Sequence, residues 1–245
     1  MVRPFTLSRL ADVIRLGRTV NGLTSDDLEE AMMVTRDRAV ELIRQAEEMK
    51  LIKADGSSYH STSLGNDFFE ALKNDDSVKL DNTLSEYSPY LKVKSILSER
   101  SVSVGDLKRE TGLTEVAIEI VLRLLHYVRD DLCSINEEFF LRTKEMPEVK
   151  SFLSAVKRTY LELGGCTQWG CPKNFIRVDR VATHVCAALR LSLDDFAKLL
   201  DKTIESSSFI EIHSEVASYQ FMPFSRLKLN PTSYRRCYMR LRVKA

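Results

Sequence analysis

Between Thr24 and Ile52 apolar residues recur at intervals of three and four, pause once, and then give way to alternation. Thr24 or Ser25 suits the cap of a short helix running through Leu28 and Ala31. Val34 then precedes a second cap, Thr35, after which Ala39, Leu42, Ile43, Ala46 and Met49 share one helical face. Two short helices around a tight turn form a helix-turn-helix. In LIKADGSSYHSTSLG the period changes: a strand, a turn at Asp55-Gly56, a second strand, and a cap into the helical run NDFFEAL. Ahead of the pair, LSRLADVIRL supplies a supporting helix.

The pattern returns twice. In SVGDLKRETGLTEVAIEIVLRLLHYV, Leu107, Leu113 and Thr114 fall 79 positions after Leu28, Val34 and Thr35. Val121, Leu122, Leu125 and Val128 take the places of Leu42, Ile43, Ala46 and Met49. YLKVKSILSER precedes this stretch as a first helix, and LCSINEEFFLRT follows as a hairpin turning at Glu137-Glu138. A further shift of 78 reaches RVATHVCAALRLSLDDFAKLLDKTI, with Val185, Ala188, Leu191, Ser192, Leu199 and Leu200 in register. FIEIH and RRCYMRLRV then read as two strands joined by a long, irregular connection. Three matches at nearly constant spacing mark an internal repeat.

Helices followed by a two-stranded hairpin make each copy resemble a winged-helix domain. The resemblance implies a mainly α fold with small β-hairpin wings (α+β), as three tandem winged-helix domains. The first spans residues 1–74, a linker 75–89, the second 90–145, and the third 146–245, opened by a helix from Pro147 to Leu163.

Composition fits this reading. The chain has 245 residues, 44% hydrophobic and 29% charged, enough for two or three small cores. Nine glycines and six prolines favour helices over a loop-rich fold. The arginine-bearing N-terminus lacks the apolar core of a secretory signal, and no apolar run reaches the roughly 18 residues of a membrane span. Five cysteines without dense spacing fit a reducing compartment, so a cytoplasmic protein is expected.

A net charge of +1 leaves any nucleic-acid role to local asymmetry. The resemblance implies that the second helix of the motif enters the major groove of double-stranded DNA and the wing meets its backbone. In the first copy Thr35, Arg36 and Arg38 open that helix and Arg44 follows, suited to guanine edges and phosphates. Asp37, Glu41, Glu47 and Glu48 dilute their field. Ser57, Ser58 and His60 would be the wing contacts. The second copy opens on Glu115 and Glu119 and the third on Asp194 and Asp195, which points those copies toward packing or partner docking. From Arg226 to Ala245 there are seven basic residues and no acidic one. Strand alternation places Arg236, Tyr238, Arg240, Arg242 and Lys244 on one face and Cys237, Met239, Leu241 and Val243 on the other. With Arg235, that basic face fits phosphate contact, or a charged edge strand guarded against aggregation.

No phosphate loop, nucleophile elbow or HExxH pair is present, and His60, His126, His184 and His213 are scattered, so no catalytic residue is assigned. Cys166 and Cys171 flank the single tryptophan, Trp169, in GGCTQWGC. A zinc site would need His184 and Cys186 as partners. Residues two apart on a helix diverge by about 200°, so no metal or cofactor is expected. A local disulfide or a plain inter-helix loop are the other readings.

Two functions remain in play. One is a non-enzymatic DNA-binding protein, a transcriptional regulator or DNA-processing accessory factor, that uses the first helix-turn-helix and the basic C-terminal strand. The other is a protein-interaction scaffold of tandem winged helices within a larger complex.

Overall fold

The computed structural model describes residues 7–19, 22–164, 175–206, 210–214 and 237–241. It is mainly helical with small antiparallel sheets. The first repeat consists of α1 (Leu7–Gly17), α2 (Ser25–Met32), α3 (Arg36–Glu48), the strands β1 (Ile52–Asp55) and β2 (Ser58–Ser61), and α4 (Ser63–Lys73). Then come α5 (Ser77–Leu84), α6 (Ser88–Glu99), β3 (Val102–Ser103), α7 (Val104–Thr111), α8 (Glu115–Val128), β4 (Leu132–Ile135) and β5 (Glu138–Leu141). The last repeat holds α9 (Val149–Glu162), β6 (Ile176–Arg177), α10 (Val178–Leu189), α11 (Leu193–Ser206), β7 (Ile210–Ser214) and β8 (Cys237–Leu241).

Element order and strand pairing recur together. The later sheets run β3-β5-β4 and β6-β8-β7, so the strand after the first helix pairs with the last strand in each. In the first repeat a single bridge, Leu23 to Tyr59, stands where that leading strand would be. The core positions recur as well: Leu28, Leu107 and Val185 are all fully buried. At the position of Ala46 and Leu125 the third repeat carries Thr203, whose hydroxyl, buried with it, donates to the Leu199 carbonyl.

Helix starts follow the cap signals. Thr24 and Asp27 form a capping box, each side chain accepting from the other's backbone N–H. Hydrogen bonds from the Thr24 hydroxyl and backbone hold the Asp27 carboxyl below its ordinary range. Thr114 accepts from Ala117 N, and Ser192 accepts from Asp195 N. Thr35 has the extended backbone of a cap but makes no side-chain cap bond.

The turn between the two helices of the motif is left-handed in every repeat. Met33 (φ 50°), Gly112 (φ 70°) and Arg190 (φ 52°) occupy one repeat position. Only the middle copy uses the residue that adopts this conformation without a Cβ penalty. A Cβ added at Gly112 meets nothing within 4 Å, so Gly112→Ala tests the backbone alone. It is expected to cost about 1 kcal/mol in urea denaturation, whereas Met33→Gly should gain about half that. Equal effects of one sign at the two positions would contradict this account.

Both hairpin turns lie one residue from the expected place. The first turns at Gly56-Ser57, with Asp55 paired to Ser58 and Gly56 at φ 61°. The other turns at Asn136-Glu137 (φ 51° and 64°), not Glu137-Glu138, because this hairpin turns on two left-handed residues and asparagine tolerates that conformation.

The chain divides into two compact units, residues 1–96 with 104–132, and residues 97–103 with 133–245. The helices α7 and α8 thus belong to the first and the strand β5 to the second. In the first unit, α1 packs on α3 and α4, burying Leu10, Val13, Ile14, Leu42, Ile43 and Phe68. Gly65, in the first turn of α4, allows the tightest approach: a Cβ there would lie 2.0 Å from the Leu51 carbonyl oxygen. The expected linker, 75–89, contains α5, which packs on α4 and α8 with Leu80 and Leu84 buried. In the second unit, Phe152 and Phe196 meet edge-on at 5.4 Å, and Val181, Val185, Leu200, Ile212 and Met239 complete the core. Among the described residues no helix is long and apolar enough to cross a membrane.

Candidate functional site

Helix α3 carries the residues expected to read DNA, and its own packing sorts them. Ala39, Leu42, Ile43 and Ala46 turn inward, leaving Asp37, Val40, Glu41, Arg44 and Glu48 on the outer side. Thr35 is exposed at the N-terminus. Arg36 is exposed over 70% of its side chain and lies 3.6 Å from Asp26. Arg44 is exposed over 76%, with its Nε donating to Glu48 at 3.0 Å.

Arg38 departs from expectation. It precedes Leu42 by one helical turn, so it falls on the flank of the core and is only 8% exposed. Its stem is buried and its guanidinium donates to Glu41. In this position the Arg38 side chain is engaged in packing and an ion pair.

On the β1–β2 hairpin Ser57 is exposed, whereas Ser58 and His60 are half-buried. The Ser58 hydroxyl donates to the Asp55 carbonyl, and His60 Nε2 lies 3.4 Å from that hydroxyl oxygen. The His60 ring also covers Gly22, where a Cβ would stand 2.9 Å from it. This histidine is committed to its own hairpin.

The basic C-terminal strand is β8, the central strand of its sheet and not an edge. Met239 and Leu241 are buried, in keeping with the alternation. The register sets Arg240 opposite Glu211, and Tyr238 between Arg177 and His213. Arg235, Arg236, Arg242 and Lys244 lie outside the described residues, as do Cys166, Trp169 and Cys171. Cys186 is buried, its Sγ 3.6 Å from the Ser192 carbonyl, and burial pushes its thiol well above the ordinary range. His184 Nδ1 lies 2.8 Å from the Arg180 carbonyl.

The outer side of α3 does not stand alone. Within the first unit it forms one wall of a groove of about 610 Å³ whose other wall is the start of α8. Thr114, Val116, Ala117 and Ile120 line the α8 side and Tyr87 one end. Val40 and Val116 leave 50% and 42% of their surface in solvent. Asp37, Glu41 and Glu48 make the α3 wall acidic, with Arg44 the cation among the lining residues. Burial, and then the Glu48 charge, hold the Tyr87 hydroxyl protonated above its ordinary range. Periodicity alone missed this groove, because it joins helices from two repeats. Its trace in the sequence is a pair of valines on otherwise polar helix faces.

Comparison of the chain with protein-family models, with curated proteins and with solved structures gives no match.

Proposed function

We propose that the chain is a non-enzymatic protein-interaction scaffold built from three tandem winged helices. The recurrent order of helices and strands, with the leading strand paired to the last, supports the winged-helix assignment. Fold alone names no function, so the choice between DNA and protein rests on charge. That choice is carried by one observation: each second helix of the motif is acidic on balance. Helix α3 sets three arginines against four carboxylates, and one of those arginines is buried. Helix α8 sets Arg123 against Glu115 and Glu119, and α11 sets Lys198 and Lys202 against Asp194, Asp195, Asp201 and Glu205. Phosphate neutralisation supplies most of the affinity for DNA, and such helices supply little of it.

Exposed Arg36 and Arg44, together with the basic run from Arg226, favour a second reading in which double-stranded DNA is bound through α3 and the C-terminal segment. Anisotropy titration of a labelled random duplex at two salt concentrations separates the two. The scaffold reading expects no measurable binding at low salt. Binding that falls steeply with salt, as contact with about six phosphates requires, would overturn it. Loss of that binding in Arg240→Glu with Arg242→Glu would then assign it to the C-terminal strand.

A further inference from the structure

The groove between α3 and α8 has two properties that together define an occupant. Its floor is apolar and aliphatic, formed by Val40, Val116, Ala117 and Ile120, with two of these side chains about half in solvent. Its α3 wall is acidic on balance: Glu41 pairs with Arg38 and Glu48 with Arg44, which leaves the charge of Asp37 uncompensated among the described residues. From Asp37 to Glu48 that wall rises about 16 Å, or three helical turns. Both walls are helices, so neither offers a sheet edge to an added strand. Phosphates would meet repulsion on the α3 wall, and Tyr87 is the single aromatic in the lining, which makes a poor platform for stacked bases. A third helix laid between two others, with its apolar side chains on the floor, meets all of these conditions.

We propose that this groove receives an amphipathic helix of a partner protein, one whose apolar stripe is flanked by lysine or arginine. The proposal rests on the scaffold reading and gives it a site. The partner's leucine-sized side chains cover Val40, Val116 and Ile120. Its cations reach Asp37 while their stems add to the apolar contact. The Tyr87 hydroxyl, protonated beside Glu48, remains a donor at one end of the groove.

The test uses the full chain and a fluorescein-labelled peptide of about eighteen leucines and lysines, with leucines at i, i+3, i+4 and i+7. A counterpart with glutamate in place of lysine is the control. The lysine peptide is expected to bind at least about tenfold more tightly than the glutamate peptide and to lose affinity with salt. Hydrogen-exchange protection is expected within residues 36–48 and 114–120. Two variants approach the site differently: Val40→Lys with Val116→Lys charges the floor, and Asp37→Lys with Glu48→Lys reverses the wall. All four side chains are exposed, so both variants should keep the wild-type circular dichroism and melting transition. Each should weaken lysine-peptide binding by about tenfold or more. Equal binding of the two peptides, or full affinity in both variants, overturns the groove assignment. Lysine-peptide binding that persists with protection elsewhere removes this site and leaves the scaffold reading standing. Protection of residues 36–48 and 114–120 by a random DNA duplex in the absence of peptide overturns both.

Discussion

Asp81→Ala is expected to lower the stability of the first unit by about 3 kcal/mol at pH 7, measured by urea denaturation. Asp81 is the centre of a largely buried network joining α5, α6 and the end of α8. Its carboxylate accepts from the Tyr90 hydroxyl at 2.6 Å, from Lys94 Nζ at 2.8 Å and from Arg129 Nη1 at 2.9 Å. Arg129 in turn grips both oxygens of Asp131, at 2.8 and 2.6 Å. The Lys94, Asp81, Arg129 and Asp131 side chains are each only 14–21% exposed. Two cations and two carboxylates balance; removing one carboxylate leaves an excess positive charge in a site with little water. Tyr90, itself fully buried, loses the acceptor for its hydroxyl at the same time.

The pH dependence follows from the same contacts. Burial alone would raise the Asp81 carboxyl, but hydrogen bonds from Lys94 and Tyr90 and the charges of Lys94 and Arg129 outweigh it and hold it below its ordinary range. A depressed carboxylate contributes stability above its unfolded pKa, about 3.9, and loses that contribution as pH falls through the lower folded value. The gap between wild type and Asp81→Ala should therefore be constant near neutrality and narrow below about pH 4. A gap that widens on acidification would show that the carboxylate is not stabilised by these partners.

Gly65→Ala is the second large effect, and its sign is the informative part. In an ordinary helix this substitution stabilises by about 0.5–1 kcal/mol, because alanine loses less backbone freedom on folding. Here the new methyl would lie 2.0 Å from the Leu51 oxygen, a backbone atom with no rotamer to escape through. That carbonyl already accepts from Thr62 N at 3.0 Å, the Thr62 hydroxyl donates to the adjoining Lys50 carbonyl at 2.7 Å, and Gly65 N donates to that hydroxyl oxygen at 3.0 Å. Moving any one of these groups disturbs the cap of α4 and the entry to the hairpin together. A loss of about 3 kcal/mol is expected, seen as a fall in melting temperature of several degrees. A neutral or stabilising result would mean that the two segments separate more easily than their hydrogen bonds imply.

The repeated core was legible because burial follows period. Leu28, Leu107 and Val185 could be aligned on paper, and all three are fully buried. Three things were not. Helix α5, in VKLDNTL, offers only Leu80 and Leu84 as apolar inward residues beside the buried Thr83, too few for periodicity to separate from a polar connection. The left-handed turn is announced by glycine in one copy alone; Met33 and Arg190 carry no such mark and are held there by the helices on either side. Arg38 was read by residue type when its spacing from Leu42 already placed it on the flank of the core. The groove was the least legible feature, since no local pattern in α3 or α8 encodes that they share it.

Helix α5 also has a consequence for the order in which the chain is made. Leu80 and Leu84 are buried, and α5 packs on α4, already synthesised, and on α8, whose first residue lies further along the chain. At about 5–20 residues per second, the roughly thirty residues between α5 and α8 take on the order of seconds to emerge. During that interval α5 lacks α8, and the part of its surface that α8 covers is open to whatever else is nearby. The seam between the first two repeats is thus a point in the nascent chain where a chaperone has apolar surface to hold.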